Sequence, residues 1–120
     1  MNSKAQQLED SLLVIWNDRN ADNRLAAMEK IYAPDIHFYE SQEGPAIIGY
    51  QAINEVIAGL QSKWPLEFTF QLNRPAKANH QVQQIAWHLG IPGQLPAASG
   101  MDIALIEDGK IKSLHLFLEA

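Results

Sequence analysis

Two carboxylic acids sit where the surrounding residues favour apolar burial. Asp102 stands between Met101 and Ile103 in a run that is otherwise almost entirely apolar, and Glu40 shares strand parity with Ile36 and Phe38. A carboxylate facing an apolar interior has its pKa raised by desolvation, toward the range of a general base that removes a proton next to a carbonyl. A carboxyl held protonated by the same surroundings can instead donate a hydrogen bond to a developing oxyanion. Glu40 suits the first role and Asp102 the second. The plain alternatives are that Glu40 ends an edge strand and stays solvated, and that Asp102 pairs with a histidine or backbone amide and only fixes strand geometry.

The other side chains with chemical potential are aromatic. Trp16, Trp64 and Trp87 offer large apolar surfaces with one N–H each, suited to lining a pocket or to filling a core. Tyr32 belongs to the apolar face of an expected helix, so its hydroxyl needs an internal partner or pocket water. Phe38, Ile57, Leu114 and Leu116 complete the expected pocket wall. The histidines, His37, His80, His88 and His115, show no H-x-x-x-H or H-x-H spacing, and no metal site is expected. No nucleophile elbow, phosphate loop or dinucleotide fingerprint occurs.

Positioning these groups requires a fold, and hydrophobic periodicity supplies one. Leu8, Leu12, Leu13, Ile15 and Trp16 recur at helical spacing; Asp22 or Asn23 can cap a second helix carrying Leu25, Met28, Ile31 and Tyr32, which Pro34 ends. A strand follows from Ile36 to Glu40, then the turn SQEGP, a short strand over 46–48 and a third helix with Ile53, Val56, Ile57 and Leu60. Beyond Trp64-Pro65 the period becomes two: Leu66 to Leu72, Gln81 to Gly90, Met101 to Ile106 and Ile111 to Leu118, the last two joined by a hairpin at Glu107-Asp108-Gly109. NRPAKANH reads as a turn. Helices early and strands late argue for an α+β class over a parallel α/β sheet. A single domain over 1–120 is expected.

Composition narrows the partners. A formal charge of −5 opposes electrostatic capture of nucleic acid. Cysteine is absent, which removes disulfides, thiolate nucleophiles and cysteine-bound metals and fits a reducing compartment. The opening MNSKAQQLED lacks the apolar core of a secretory signal and no stretch is long enough for a membrane span, so a cytoplasmic location is expected.

The run YAPDIHFYE, then GYQAI before a helix, AWHLGIP, SGMDIALIEDGKI and the closing LHLFLEA resemble the nuclear transport factor 2-like superfamily over nearly the whole chain. The SnoaL-like polyketide cyclases and ketosteroid isomerases are the described members it is most similar to. The resemblance implies a cone-shaped α+β fold, a curved antiparallel sheet covered by three N-terminal helices, with a ligand inside. It places Glu40 where the isomerases carry their aspartate base and Asp102 where they keep a protonated aspartic acid. Trp16 departs from the pattern, standing where those enzymes carry a tyrosine.

Three functional readings follow. The leading one is a cofactor-free isomerase or cyclase acting on a small hydrophobic molecule, with Glu40 as base and Asp102 stabilising the enolate. The second is a non-catalytic module that binds a small hydrophobic metabolite, and the third an adaptor whose pocket its own side chains fill. A homodimer through the outer sheet face is expected, because His115, Phe117 and their outward neighbours are apolar for a wet surface.

Overall fold

The computed structural model describes residues 5–119. Helix α1 (Gln6–Asp10) continues without a break as a π-helical segment, Ser11–Trp16, and is followed by α2 (Ala21–Ile31) and β1 (Tyr32–Tyr39). Then come β2 (Ile47–Ile48), α3 (Tyr50–Gln61), β3 (Thr69–Leu72), β4 (Lys77–Asn79), β5 (Val82–Gly90), β6 (Ala98–Glu107) and β7 (Lys110–Leu118). The sheet order is β2-β1-β7-β6-β5-β3, with β4 also paired to β5. All pairs are antiparallel except β1 with β7. This is the expected α+β arrangement, with a curved sheet that does not close on itself.

Several boundaries differ from the sequence expectation, each for a local reason. Helix α2 is capped by Asn20, whose side chain accepts from the Asn23 amide at 2.9 Å, and it stops at Ile31. Tyr32 therefore opens β1 instead of closing the helix. Pro34 lies within β1, in the interval between Tyr32 and His37 where the pairing with β7 shifts register, so its missing N–H interrupts no regular ladder. Leu66 is exposed, and β3 begins only at Thr69. Part of the expected turn NRPAKANH forms β4 instead.

The inner face of the sheet follows from the register. Trp87 sits opposite Gly100, Ile85 opposite Asp102 and Leu116 opposite Asp102 from the other side, so these side chains share one face. Leu8, Leu12 and Ile15 from the first helix, Met28 from α2 and Ile53 and Ile57 from α3 cover it. A buried amide ties the helix layer down: Gln83 accepts from the Leu8 N–H at 3.0 Å and donates to Gln7 at 2.7 Å. The opposite parity, including Met101, Ile103, Leu105, His115 and Phe117, forms the outer face, where Leu105 and Phe117 are exposed.

Candidate functional site

The helices do not fill the cone. A cavity of about 430 Å³ remains between them and the sheet, in the size range of small-molecule sites. The first helix contributes Leu12 and Trp16, the end of α3 and its following turn Leu60 and Trp64, β1 Phe38, and the segment just after β1 Glu40 and Ser41. The sheet contributes Phe70, Trp87, Leu89, Ala98, Asp102, Leu116 and Leu118.

Of the residues expected to form the site, Trp16, Phe38, Trp64, Trp87, Leu116, Glu40 and Asp102 line this cavity. Ile57, Leu114 and Tyr32 do not. All three are fully buried in the core behind it. Leu114 pairs with Phe38 and Ala104, one pleat nearer the packed end of the cone than Leu116, which pairs with Asp102. The Tyr32 hydroxyl meets Ser11 Oγ at 2.5 Å instead of a ligand. Burial pushes this phenol up to about 12, with the nearby Asp102 charge adding and hydrogen bonding from Ser11 and Trp16 opposing.

Asp102 projects from the middle of β6 into the cavity. Trp87 Nε1–H donates to its Oδ1 at 3.0 Å. Burial pushes the carboxyl up to about 7, against the pull of that hydrogen bond. Among the two sequence alternatives, the partner is thus neither histidine nor backbone but an indole of the cavity wall. Gly100 makes room for that indole. A Cβ there would lie 2.6 Å from Trp87 Cζ2 and 2.9 Å from the Phe117 carbonyl oxygen, so only glycine lets the ring cross β6 at this point.

Glu40 follows the plainer of its two sequence alternatives, at the end of its strand. The sequence reading aims it into the apolar interior, but β1 ends at Tyr39, the last residue paired with β7, and Glu40 is exposed. The parity with Phe38 holds only as far as the strand does. Glu40 and Ser41 consequently reach the cavity at its rim, not from within.

Trp16 is fixed from two directions. Asn17 donates to the Phe70 carbonyl at 3.1 Å and accepts from the Phe70 N–H at 2.7 Å, docking the helix end onto β3. Gln61 donates to the carbonyls of Trp16 at 3.2 Å and Asp18 at 2.9 Å. Arg24, almost fully buried, holds Gln61 at 2.8 Å, Asn54 at 2.5 Å and the Asp18 carbonyl at 2.9 Å. This polar knot escaped the sequence reading. Its one visible signal is Arg24 four residues before Met28, a charge on an otherwise apolar helix face. Phe70 and Leu89 stand on the apolar parity of their strands in the sequence, while their place in the cavity wall, like that of Leu118, comes from packing.

The histidines are dispersed: His88 contacts Gln71 and Asn73, His80 contacts Asn79, and His115 stacks on Tyr39 with ring centroids 4.7 Å apart. Among the described residues, no group of three metal-ligating side chains converges and no helix is long and apolar enough to cross a membrane.

No protein-family model and no curated protein matches the chain. Solved structures do. A candidate isomerase of the SnoaL-like family from Agrobacterium tumefaciens superposes with a TM-score of 0.83 at 20% identity, covering 97% of both chains. A candidate SnoaL-like polyketide cyclase from Jannaschia gives 0.75 at 12% identity, covering 99% of this chain and 90% of that one. A candidate ketosteroid isomerase from Kribbella flavida gives 0.69 at 15% identity, with 98% and 82% covered. The chain has the nuclear transport factor 2-like fold.

Proposed function

We propose that the cavity binds a small hydrophobic carbonyl compound and that the protein is an isomerase or cyclase of the SnoaL-like kind. The observation that carries this reading is Asp102: a carboxyl inside an apolar cavity, held by an indole N–H, with its proton affinity raised by burial. Its protonated form can donate to a carbonyl oxygen and strengthen that bond as negative charge develops. A base then removes a proton from the adjacent carbon, the C–H electron pair enters the carbonyl system, and Asp102 supports the resulting enolate. Reprotonation at another carbon completes an isomerisation, and attack on a second carbonyl of the same molecule completes a cyclisation. The chemistry uses only the chain's own groups.

Glu40 is the candidate base, acting from the rim, where a bound ligand would cover it. Turnover of a panel of cyclic ketones and polyketide-like compounds tests the assignment. Glu40→Gln and Asp102→Asn should each lower kcat by at least about tenfold, consistent with the usual contribution of acid–base groups. A Glu40→Gln variant with full activity removes Glu40 from the mechanism.

The exposure of Glu40 favours a second reading, in which the cavity holds a hydrophobic metabolite without converting it. That reading expects thermal stabilisation by ligand in the absence of turnover. Under either reading we place the protein in the cytoplasm, supported by its cysteine-free sequence, and pair two copies through the outer sheet face, supported by exposed Leu105 and Phe117.

A further inference from the structure

The cavity wall carries five aromatic rings and two carboxyl groups, and among the described residues no Lys, Arg or His lines it. A ligand's negative charge would therefore face Asp102 and Glu40 with nothing to neutralise it, which is costly in an apolar enclosure. A positive charge would meet the reverse situation. The rings also form a connected set. Trp16 contacts Phe38 at 5.6 Å and Phe70 at 6.0 Å, and Phe70 contacts Trp64 at 5.6 Å and Trp87 at 5.2 Å, all edge to face. Rings packed this way are not stacked face against face, and aromatic faces attract cations, those of tryptophan most strongly.

We propose that this cavity selects lipophilic ammonium ions: compact apolar bodies bearing one protonated amine that pairs with Asp102 while the hydrocarbon packs against the rings. Glu40 at the rim adds negative potential at the entrance and favours arrival of a cation. The inference rests on the cavity being a ligand site, as proposed above, but not on the enolisation step. The two ligand classes use different forms of one group. A carbonyl oxygen needs the proton on Asp102, and an ammonium needs it gone.

Three compounds of one shape separate the possibilities: bridgehead adamantylamine, adamantanol and adamantane carboxylate, titrated calorimetrically into the wild-type protein. At about pH 8, above the Asp102 midpoint of about 7, the amine should bind at least about tenfold tighter than the alcohol, and the carboxylate weakest. The advantage should shrink as pH falls to about 6, because pairing then requires release of the Asp102 proton. Asp102→Asn should bring amine and alcohol to within about threefold of each other. Equal affinity of amine and alcohol in the wild type, or tighter binding of the carboxylate, overturns the charge selection while leaving the cavity reading in place. If none of the three binds, the cavity reading falls and takes the selection with it. Should the Asn variant not fold, the pH dependence of the wild-type ratio decides.

Discussion

Asp102→Asn probes the cavity carboxyl without any knowledge of a substrate. Asn keeps the shape of the side chain and an acceptor oxygen for Trp87 Nε1, but it cannot ionise. Moving a carboxyl from 3.8 to about 7 means that the folded chain resists its ionisation by about 4 kcal/mol, since each tenfold change in proton affinity is worth about 1.36 kcal/mol. The sign follows from proton counting. Between about pH 4 and 7 the folded protein keeps this proton and the unfolded chain has lost it, so the Asp102 contribution to stability falls as pH rises through that window and is flat above it. The variant lacks this slope. Urea unfolding of both proteins from about pH 4 to 9 should therefore show the variant gaining on the wild type by up to about 4 kcal/mol, less whatever screening water in the cavity provides. All other titrating groups cancel in the difference. A difference that does not change with pH would refute the raised proton affinity of Asp102 and, with it, the proton-donor role proposed for that carboxyl.

Gly100→Ala should cost about 1–3 kcal/mol in urea unfolding, because its Cβ meets Trp87 Cζ2 at 2.6 Å. Because the displaced indole can no longer donate to Asp102, the carboxyl midpoint read by carbon NMR should also rise above about 7. Arg24→Met leaves the Asn54 and Gln61 side-chain oxygens without their buried donor and should lower stability by about 2–4 kcal/mol, measured by the same unfolding assay. On the outer face, the wild type should sediment as a dimer at micromolar concentration and Phe117→Glu as a monomer; a monomeric wild type refutes the pairing.

The fold was legible because it is written in period. The alternation of Ile85, Trp87 and Leu89 and of Leu114, Leu116 and Leu118 with their neighbours places Trp87 and Leu116 inward without reference to any other element. What the period cannot supply is the point at which a strand stops being paired. Glu40 has the right parity, but its position depends on β1 losing β7 after Tyr39, a property of two distant segments. Tyr32 fails for a related reason: both the helical and the extended pattern fit it, and the Asn20 cap with its helix end at Ile31 decides. Arg24, Asn54 and Gln61 lie 30 and 37 residues apart along the chain as hydrogen-bonded pairs, so their contact is a product of packing alone.

Asp102 was legible for the opposite reason. Its face is fixed by pairing on both edges of β6, with Ile85 and Leu116 directly across, and the glycine two residues back admits the Trp87 indole. A carboxyl in the middle of a strand paired on both edges keeps its face whatever the loops do, whereas a carboxyl at a strand end depends on what covers it. The two acids therefore divide the site unequally. Asp102 has its proton affinity set by the fold before any ligand arrives, and Glu40 can acquire a catalytic environment only from the ligand that closes over it. A base of that kind acts only on molecules large enough to reach from Asp102 to the rim. Shortening a substrate while keeping its carbonyl should consequently depress kcat more than KM, and equal loss in both would place the base elsewhere.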